Sequence, residues 1–424
     1  MPLPPIEINK LIFGGQGLGH AEGRTIFAWN ALPGETIDLV PWRRRKGIIE
    51  GLACKIIKSS PDRCEPQEDH YLSCSPWQIL SWRLEQEWKV RIAQETFQKI
   101  GKLGPEQLGD EPLAIEGTEA QAYGYRNKME FSAAGSSLAF FKRGSHALTP
   151  IERCDLANKV INDEAAKLMA WFGGKKIAAP TIKSLIIRGD ANTGVIAAIF
   201  LRERLKLSSE PALNQALRGV KVYYSNPQSP ASTPDHELLA LGTDYLDVPV
   251  AGHVVRHGML NFFQVNVPLF ERTLSDIATW VQPDQALLDL YGGVGTVGVC
   301  VGGRASGVTV VDSDSGAIEY AKHNLQIGGV TGQALATTAE NALSYIRGTD
   351  TIVIDPPRAG LHASIVARLL AVTPPRIIYL SCNISTQARD LALLAPKYRV
   401  RFARLYNYFP RTPHIESLLV LDRL

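Results

Sequence analysis

The sequence contains few cysteines and no long run of apolar residues. Six cysteines among 424 residues are too few for a disulfide scaffold, so we expect a cytoplasmic protein with reduced thiols. No segment approaches the ~18 uncharged apolar residues of a membrane-spanning helix, so we expect no membrane partner. Residues 1–5 show neither the basic region nor the apolar run of a secretory signal. The composition therefore favours a globular protein of about two or three domains.

The net charge is small, but basic residues are clustered beside aromatic residues. The formal charge is only +3 at pH 7. The basic run 43–46 follows Trp42, and the basic pair 142–143 follows Phe140 and Phe141. Cationic groups neutralise phosphates and aromatic rings stack on bases, so the two clusters together favour RNA as a partner. Taken singly, each cluster is more typical of a solvated surface.

Patterning along the chain predicts three domains. Residues 1–60 show short alternating segments separated by glycine and proline turns, which predicts a small β-barrel. Residues 61–265 mix helical and strand-like segments, which predicts a central α+β domain. Residues 266–424 alternate helix and strand, which predicts βαβ units on a parallel sheet. No helix pattern follows Gly14 and Gly15, so this pair indicates a hairpin turn rather than a phosphate-binding loop.

A glycine-rich turn marks the first candidate ligand site. An apolar strand pattern ends at Tyr291 and runs into Gly293 and Gly295, which open a helix. Asp312 ends the next strand pattern, where a carboxylate binds ribose hydroxyls in nucleotide-cofactor folds. The glycine spacing departs from the Gly-x-Gly-x-x-Gly pattern of dinucleotide sites. A nicotinamide cofactor and S-adenosylmethionine are both compatible with this turn, and the second fits at least as well.

Two further strand patterns end in reactive residues. Asp355 is followed by two prolines and Arg358, which predicts a rigid loop at the carboxyl edge of the sheet, where open α/β sheets bind ligands. Cys382 ends another apolar strand pattern. A cysteine at such a position is most often an inert buried thiol, but a sheet edge shared with Asp355 favours a nucleophile. His414 and Glu416 are the candidate bases that would activate it.

These motifs together resemble the RNA uracil-C5 methyltransferase family, whose members make 5-methyluridine with S-adenosylmethionine. The resemblance extends over nearly the whole chain and rests on six segments in the family's order: 125–128, 261–266, 289–295, 354–360, 380–383 and 414–416. It implies an α/β fold with a Rossmann-like class I methyltransferase domain at residues 266–424. It also implies a central RNA-binding α+β domain and, at residues 1–60, a TRAM domain, which is a small OB-like RNA-binding barrel.

The resemblance implies a mechanism and a set of site residues. Cys382 would add to C6 of the uracil, and Glu416 would remove the C5 proton after methyl transfer. The residues that would bind S-adenosylmethionine are Gln264, Tyr291, Gly293, Gly295, Thr296, Asp312, Asn341 and Asp355. Three positions depart from the frequent family residue, because Thr296, Asp312 and Asn407 stand where many relatives have Asn, Glu and Asp. The last departure concerns the residues expected to support Glu416.

The largest departure from the family concerns the ligands of an iron–sulfur cluster. Many relatives hold a [4Fe–4S] cluster on four cysteines, but only Cys74 and Cys154 match that ligand pattern here. Glu68 and Trp77 stand at the other two ligand positions of the cysteine-rich segment, and Cys64 is out of register. We therefore expect no [4Fe–4S] cluster and no other metal site, with Trp77 packing into the vacated space.

The choice of substrate follows from the domain organisation. A TRAM-like domain favours 23S ribosomal RNA over transfer RNA. Cytosine-C5 methylation uses the same thiol chemistry, but its RNA enzymes usually place the nucleophile in a Pro-Cys or Thr-Cys context rather than Ser381-Cys382. A non-catalytic RNA-binding or folding factor would not need Cys382, Glu416 and Asp355 together. No motif indicates an obligate protein partner.

Overall fold

The first five strands form a closed barrel. The computed structural model describes residues 3–173 and 181–424 of the chain. Its barrel comprises β1 (Ile6–Leu11), β2 (Gly17–Ala21), β3 (Arg24–Trp29), β4 (Thr36–Arg45) and β5 (Ile48–Lys58), in the order β1-β2-β3-β5-β4. Alternate side chains of each strand point inward, and Ile6, Ile8, Ile26 and Ile37 are accordingly buried. The predicted small barrel is confirmed.

A tight hairpin turn joins β1 to β2. Gly15 N donates a hydrogen bond to Ile12 O at 2.9 Å. Gly15 has a φ of +98°, and a Cβ at this position would lie 2.5 Å from Cβ of Pro413. The backbone conformation and the close approach both require glycine. The turn therefore rests against a loop near the end of the chain rather than opening a helix.

A connector follows the barrel. It consists of a single turn of helix, α1 (Tyr71–Cys74), a long helix, α2 (Trp82–Lys99), and a short strand, β6 (Ala114–Glu116). The spacing of apolar residues predicts a helix over 77–102, but α2 begins only after Ser81, whose side chain caps it by accepting a hydrogen bond from Leu84 N.

The middle of the chain forms a seven-stranded sheet covered by one helix. Its elements are β7 (Lys128–Ala134), β8 (Ser137–Phe141), β9 (Leu148–Ile151), α3 (Lys159–Gly173), β10 (Ile182–Asp190), β11 (Gly194–Leu201), β12 (Leu217–Tyr224) and β13 (His236–Gly242), with sheet order β13-β12-β11-β10-β7-β8-β9. Leu168 and Phe172 of α3 pack against Phe131 and Ile187 of the sheet. A two-stranded ribbon, β14 (Tyr245–Val250) and β15 (His253–Gly258), then leads to the last part of the chain.

The last part of the chain alternates helices and strands around one large sheet. Its elements are α4 (Val267–Trp280), β16 (Ala286–Leu290), α5 (Thr296–Val301), β17 (Gly307–Asp312), α6 (Ser315–Ile327), β18 (Gly332–Ala336), β19 (Thr351–Ile354), α7 (Ala363–Val372), β20 (Arg376–Ser381), α8 (Ile384–Leu394), β21 (Tyr398–Tyr406) and β22 (Glu416–Arg423). The eight strands run in the order β18-β17-β16-β19-β20-β22-β21-β6. Strands β16 to β20 pair in parallel, and β22 is antiparallel to β20. The predicted α/β fold with a parallel sheet is confirmed. Among the described residues, no helix is long and apolar enough to cross a membrane.

The connector packs against the C-terminal sheet rather than only against the central domain. Strand β6 pairs in parallel with β21. Trp88, Ile92 and Phe97 of α2 share one apolar core with Leu391 of α8. The periodicity of the sequence identifies the apolar face of α2 but not the element that covers this face. For this reason the sequence analysis includes the connector in the predicted domain 61–265. The three domain limits remain a prediction.

A buried ion pair ties α2 to the loop between β21 and β22. Glu85 and Lys89 lie one helical turn apart, and both side chains are 0% exposed with Nζ 3.0 Å from Oε1. Lys89 Nζ also donates to Asn407 Oδ1 at 2.5 Å and to Phe409 O at 3.2 Å. Glu85 accepts hydrogen bonds from Asn407 Nδ2 and from the backbone N–H of Arg411. Burial lowers the pKa of Lys89, and the negative charge of Glu85 opposes that shift.

We expect Lys89→Met to lower the free energy of unfolding by about 3–5 kcal/mol, because Glu85 would be left buried without its partner. Lys99→Met is the matched control in the same helix. Lys99 also pairs with a glutamate four residues earlier, Glu95, but its side chain is 65% exposed, so its loss should cost roughly 0–1 kcal/mol. Calorimetric unfolding of the full chain compares the two variants. Equal losses would contradict the role given to the buried pair.

Candidate active site

One cavity of about 690 Å³ opens at the carboxyl edge of the parallel strands. Each strand delivers a polar residue to its lining: Tyr291 follows β16, Asp312 ends β17, Asp355 follows β19 and Cys382 follows β20. Glu416, the first residue of β22, lines the same cavity. Open α/β sheets bind their ligands at this edge. The topology therefore brings together residues that the sequence places at separate strand ends.

The glycine-rich turn after β16 is closely packed around a buried carboxylate. Asp289 Oδ2 accepts a hydrogen bond from Gly298 N at 3.1 Å. A Cβ at Gly292 would lie 2.8 Å from that same oxygen and 2.7 Å from Val310 Cγ1, so only glycine fits there without rearrangement. Gly293 N donates to Asp312 Oδ2 at 2.9 Å, which ties the turn to the end of β17.

The structure brings most of the predicted cofactor residues to the cavity. Those that line it are Gln264, Tyr291, Gly293, Asp312 and Asp355. Thr296 lines a smaller neighbouring cavity of about 40 Å³, and Gly295 caps helix α5 with a φ of +78°. Asn341 has an exposed side chain outside both linings, and its neighbour Glu340 lines the main cavity instead. A strand pattern locates the loop after β18 but not which of its residues turns inward.

Three acidic side chains lie around the cavity, of which Asp289 and Glu416 are buried and Asp355 is half-buried. Burial raises the pKa of Asp289 to about 7; the charge of Asp312 adds to the shift and the hydrogen bond from Gly298 opposes it. Desolvation also raises the pKa of Asp355, and the negative charge of Asp289 raises it further. The pKa of Glu416 is raised in the same way, first by burial and then by the negative charge of Asp355. The site therefore favours either protonated carboxyl groups or a bound cation.

Cys382 carries a neutral thiol at neutral pH. Burial raises its pKa to about 11, and the charges of Glu416 and Asp355 add to this shift. Arg358 opposes it through its charge and a hydrogen bond. A thiolate is the reactive form of cysteine, so this thiol needs a proton acceptor or added positive charge before it can attack.

His414 and Glu416, the two candidate bases, differ in basicity. Both line the cavity. His414 is an exposed residue, but partial desolvation at the cavity and then the positive charge of Arg358 lower its pKa, so the imidazole is neutral and weakly basic. Glu416 is buried and its pKa is raised well above the usual range, which makes its carboxylate the stronger base of the two.

The Arg389–Asp390 pair supports a loop rather than the thiol. Asp390 accepts hydrogen bonds from Tyr379 Oη and from Leu361 N, each at 2.8 Å. Arg389 binds Asp390 at 2.7 Å and donates to Ala359 O at 3.1 Å. These contacts fix the proline-rich loop that follows β19. Arg389 and Asp390 follow Cys382 closely in the sequence, but these contacts connect them to the loop and not to the thiol.

Phe262, Arg358 and Phe409 are among the residues that line the cavity and that the sequence analysis did not assign to the site. Phe262 is 66% exposed, although it is a large apolar side chain, and it stands two positions before Gln264. That spacing places Phe262 and Gln264 on the same side of an extended chain, and this is the signal that could have identified it.

Residues 125–128 of the central domain contact the two loops that flank the cavity. Tyr125 Oη donates to Pro410 O at 3.3 Å, and Asn127 Nδ2 donates to Gln264 O at 3.0 Å. The guanidinium group of Arg126 lies 5.7 Å from the ring centre of Phe409. These residues contact the two loops that flank the cavity, so they position the site.

The two basic clusters lie next to each other. The guanidinium group of Arg143 lies 3.9 Å from the ring centre of Trp29 in β3. A Cβ at Gly144 would meet the ring of Trp42 at 2.8 Å. The run 43–46 and Lys142 are exposed. The barrel and the central sheet therefore contribute to one basic surface with aromatic rings.

Comparisons with known proteins give related methyltransferases over the whole chain. Residues 235–424 match a family model described as tRNA (Uracil-5-)-methyltransferase. An uncharacterized RNA methyltransferase of Listeria innocua is 28% identical over 447 aligned residues, which cover 99% of this chain and 97% of that protein. The 23S rRNA (uracil(1939)-C(5))-methyltransferase of Alkalilimnicola ehrlichii is 27% identical over 450 aligned residues, which cover 100% of this chain and 98% of that protein.

One solved structure shares the fold over the full length. It is the Pyrococcus abyssi tRNA (uracil-54, C5)-methyltransferase in complex with S-adenosyl-L-homocysteine, with a TM-score of 0.78 at 23% identity. The match covers 99% of this chain and 100% of that chain. Barrel, central sheet and C-terminal sheet therefore recur together in both proteins.

We expect alkylation of Cys382 to respond in opposite directions to its two charged neighbours. With a pKa near 11, the rate with iodoacetamide should rise about tenfold per pH unit from pH 7 to pH 10. Arg358→Ala should slow the reaction several-fold at fixed pH, because it removes a positive charge facing the thiol. Glu416→Gln should accelerate the reaction at the higher pH values, at which Glu416 is ionised and its negative charge opposes the thiolate. Peptide mass spectrometry follows Cys382, with exposed Cys54 as the internal control for reagent. A rate that levels off below pH 9 would contradict this assignment.

Asp289→Asn should stabilise the protein at high pH. The raised pKa of Asp289 means that its contribution to stability is fully present below the pKa of the unfolded chain and is lost as pH rises to about 7. The variant removes this dependence, so its gain in unfolding free energy should be larger at pH 8 than at pH 5 by about 2 kcal/mol. Denaturant unfolding at the two pH values measures the gain. A gain independent of pH would show that Asp289 is ionised throughout.

Proposed function

We propose that the chain, which belongs through residues 235–424 to the tRNA (uracil-5-)-methyltransferase family, methylates C5 of a uridine in 23S ribosomal RNA with S-adenosylmethionine. One observation carries the proposal. A thiol, Cys382, and a buried carboxylate, Glu416, line the same cavity as Asp312 and Asp355. Nucleophile, base and cofactor residues thereby face one volume, as a methyl transfer through a covalent adduct requires.

The cavity fits the cofactor in size, polarity and charge. Its volume of about 690 Å³ lies within the roughly 300–1,000 Å³ of small-molecule sites. Asp312 is fixed by Gly293 N at the position where an acid binds ribose hydroxyls. Asp355 and Glu416 concentrate negative charge that would stabilise a sulfonium cation. The Pyrococcus abyssi structure with the same fold contains S-adenosyl-L-homocysteine, the demethylated form of this cofactor.

Cys382 makes uracil reactive. S-adenosylmethionine, when bound, supplies an electrophilic methyl group on a cationic sulfur. The Cys382 thiolate adds to C6 of uracil, and the electron pair of the C5–C6 double bond moves into an enolate, which makes C5 nucleophilic. A cation near Asp355 would offset the negative charge that raises the pKa of Cys382. This favours attack only after the cofactor has bound.

Glu416 completes the reaction. Once C5 carries the methyl group, it still holds its original proton. The Glu416 carboxylate accepts that proton, the double bond re-forms, and the Cys382 thiolate leaves C6. The uracil C5 atom has then exchanged its proton for a methyl group, and the Cys382 thiolate is regenerated. The buried position of Glu416 excludes water that would compete for the proton.

The uridine must leave its helix to reach Cys382. Phe262, which is 66% exposed and lines the cavity, offers a ring on which a base can stack. The exposed run 43–46 and Lys142 provide the positive charge that RNA phosphates require. Aromatic and basic groups thus support a structured RNA as the substrate.

The full-length similarity to a 23S rRNA (uracil(1939)-C(5))-methyltransferase supports ribosomal RNA. Transfer RNA is the competing substrate, because the Pyrococcus abyssi protein that shares the fold is a tRNA (uracil-54, C5)-methyltransferase. Both RNAs therefore belong in the test.

Methyl transfer to unmodified 23S ribosomal and transfer RNA transcripts tests the proposal, with nucleoside mass spectrometry as the readout. We expect 5-methyluridine in 23S RNA with the wild type. Cys382→Ala should lower the rate by at least about 10³-fold, because the nucleophile is lost. Cys300→Ala, a cysteine of helix α5 outside the cavity lining, is the matched control and should remain active.

The role of Glu416 and the competing functions are tested by separate results of the same assay. Glu416→Gln should slow turnover by about 10²–10⁴-fold, because a general base is lost. Methylation of transfer RNA alone would show that transfer RNA, and not 23S ribosomal RNA, is the substrate. Formation of 5-methylcytidine would show that the methylated nucleobase is cytosine. RNA binding by the wild type without methyl transfer would favour a non-catalytic RNA-binding factor.

A further inference from the structure

Four potential metal ligands converge where the connector meets the central sheet. One donor atom each from Glu68, His70, Cys74 and Cys154 lies within 4.8 Å of all the others. Three of these residues belong to the connector around α1, and Cys154 follows β9. The Cys154 side chain is fully buried, and only 5% of the Glu68 side chain is exposed. The group is remote in sequence from every residue assigned to the methyl transfer.

His70 directs Nε2 into this group, where the Glu68 carboxylate is near but forms no aligned hydrogen bond with it. Only 10% of its side chain is exposed, so water does not compensate for a missing partner. Nε2 lies 3.1 Å from Glu68 Oε1, but it makes no aligned hydrogen bond to any described residue. Buried nitrogen atoms of this kind are rare in native proteins because leaving them unpaired costs free energy. A metal ion bound at Nε2 would remove that cost.

The remaining contacts of Glu68 hold its carboxylate in place. Oε1 accepts a hydrogen bond from Asp155 N at 2.5 Å, and Oε2 accepts one from Gln78 Nε2 at 2.7 Å. Gln78 Nε2 also donates to Ser75 Oγ at 2.7 Å. Metal-binding carboxylates are usually oriented by such partners. Each carboxylate oxygen keeps a further lone pair for an ion.

The donor set fits a single ion better than a [4Fe–4S] cluster. Tetrahedral zinc, with bonds of about 2.0–2.3 Å, needs ligand atoms roughly 3.3–3.8 Å apart, so a separation of at most 4.8 Å requires only a small inward movement. A four-iron cluster binds one thiolate on each iron. Only two of these four ligands are cysteines, and Cys64 is not part of the group. The cluster therefore does not fit.

Trp77 does not fill this position, contrary to the prediction from the sequence. It packs into the apolar core shared with the C-terminal sheet, and its Nε1 donates to Gly15 O at 3.0 Å. Cys74 and Cys154 pack instead in the core of the central sheet. The space between the four ligands is thus left to them. The sequence analysis considered only cysteines as ligands, and so it did not consider Glu68 and His70 together with Cys74 and Cys154.

Charge and softness favour zinc. Two thiolates, one carboxylate and a neutral imidazole carry three negative charges, of which a divalent ion neutralises two. The guanidinium groups of Arg126 and Arg143 both lie close enough to Cys74 to interact with its charge. Thiolate and imidazole ligands in a tetrahedral set select zinc among the common divalent ions.

We propose that Glu68, His70, Cys74 and Cys154 form a structural zinc site that fastens the connector to the central sheet. Four protein ligands leave no open coordination position, which distinguishes a structural site from a catalytic one. The same connector holds the loop that carries part of the active site, since Trp77 N donates to Arg411 O at 3.0 Å. The ion would therefore stabilise the arrangement of barrel, central sheet and active-site loop.

Metal analysis of the full chain, purified under reducing and oxygen-free conditions without chelator, tests the site. We expect about one zinc per chain and no stoichiometric iron or acid-labile sulfide. His70→Ala and Cys154→Ser should each lose most of the zinc. Cys64→Ser is the matched control, because Cys64 lies in the same connector outside the group, and it should retain the metal.

Cobalt binding by the wild type keeps the test independent of any variant that fails to fold. Equimolar Co²⁺ added to metal-depleted protein should give tetrahedral visible bands and a thiolate-to-cobalt band in the near ultraviolet. Loss of zinc should also lower the thermal unfolding temperature, and added Zn²⁺ should restore it. About four irons with sulfide, no bound metal together with no cobalt spectrum, or equal zinc loss in Cys64→Ser would each overturn the proposal.

Discussion

The buried pair Glu85–Lys89 is the interaction on which the active site depends. It lies on a helix that precedes the catalytic domain by more than 150 residues, and its hydrogen-bond partners, Asn407, Phe409 and Arg411, lie on the loop that leads into Glu416. An isolated buried charge is expensive, so neither member of the pair can leave without the other. Arg411 Nη1 lies a further 3.8 Å from Glu85 Oε2, so the loop is held by a buried set of charges, and Glu416 follows that loop directly.

The carboxyl groups around the cavity repel one another when they are ionised. Asp289 and Glu416 are buried, Asp355 is half-buried, and all three have raised pKa values. Their negative charge also keeps Cys382 protonated. In the proposed reaction, a cationic methyl donor would relieve this repulsion and lower the barrier to forming the thiolate, so the charges that oppose the free site would favour the site with the donor bound. Binding order would then follow from electrostatics, with the nucleophile activated only when a methyl group is available.

The sequence predicts those parts of the molecule that depend on local patterns. Strand ends place Tyr291, Asp312, Asp355 and Cys382 at one edge of a parallel sheet, and the barrel follows from alternation and turns. Contacts between distant segments are not predictable in this way. The hydrogen bond between Lys89 and Asn407 spans 318 positions, and nothing in the periodicity of α2 identifies that partner. The sequence also does not show which side chains of a loop face the cavity: Glu340 lines it, whereas the neighbouring Asn341 does not. A pattern of four cysteines could not reveal a group in which His70 and Glu68 take two of the positions.

The central claim is that Cys382 forms a covalent bond to the pyrimidine it methylates. RNA containing 5-fluorouridine tests it directly, because fluorine at C5 cannot leave as a proton does and elimination is blocked after methyl transfer. Incubation with S-adenosylmethionine, followed by digestion and mass spectrometry, should give a methylated fluorouridine adduct on the peptide that contains Cys382. An adduct on another cysteine, or methylation of the natural substrate with no adduct from the fluorinated RNA, would contradict the account.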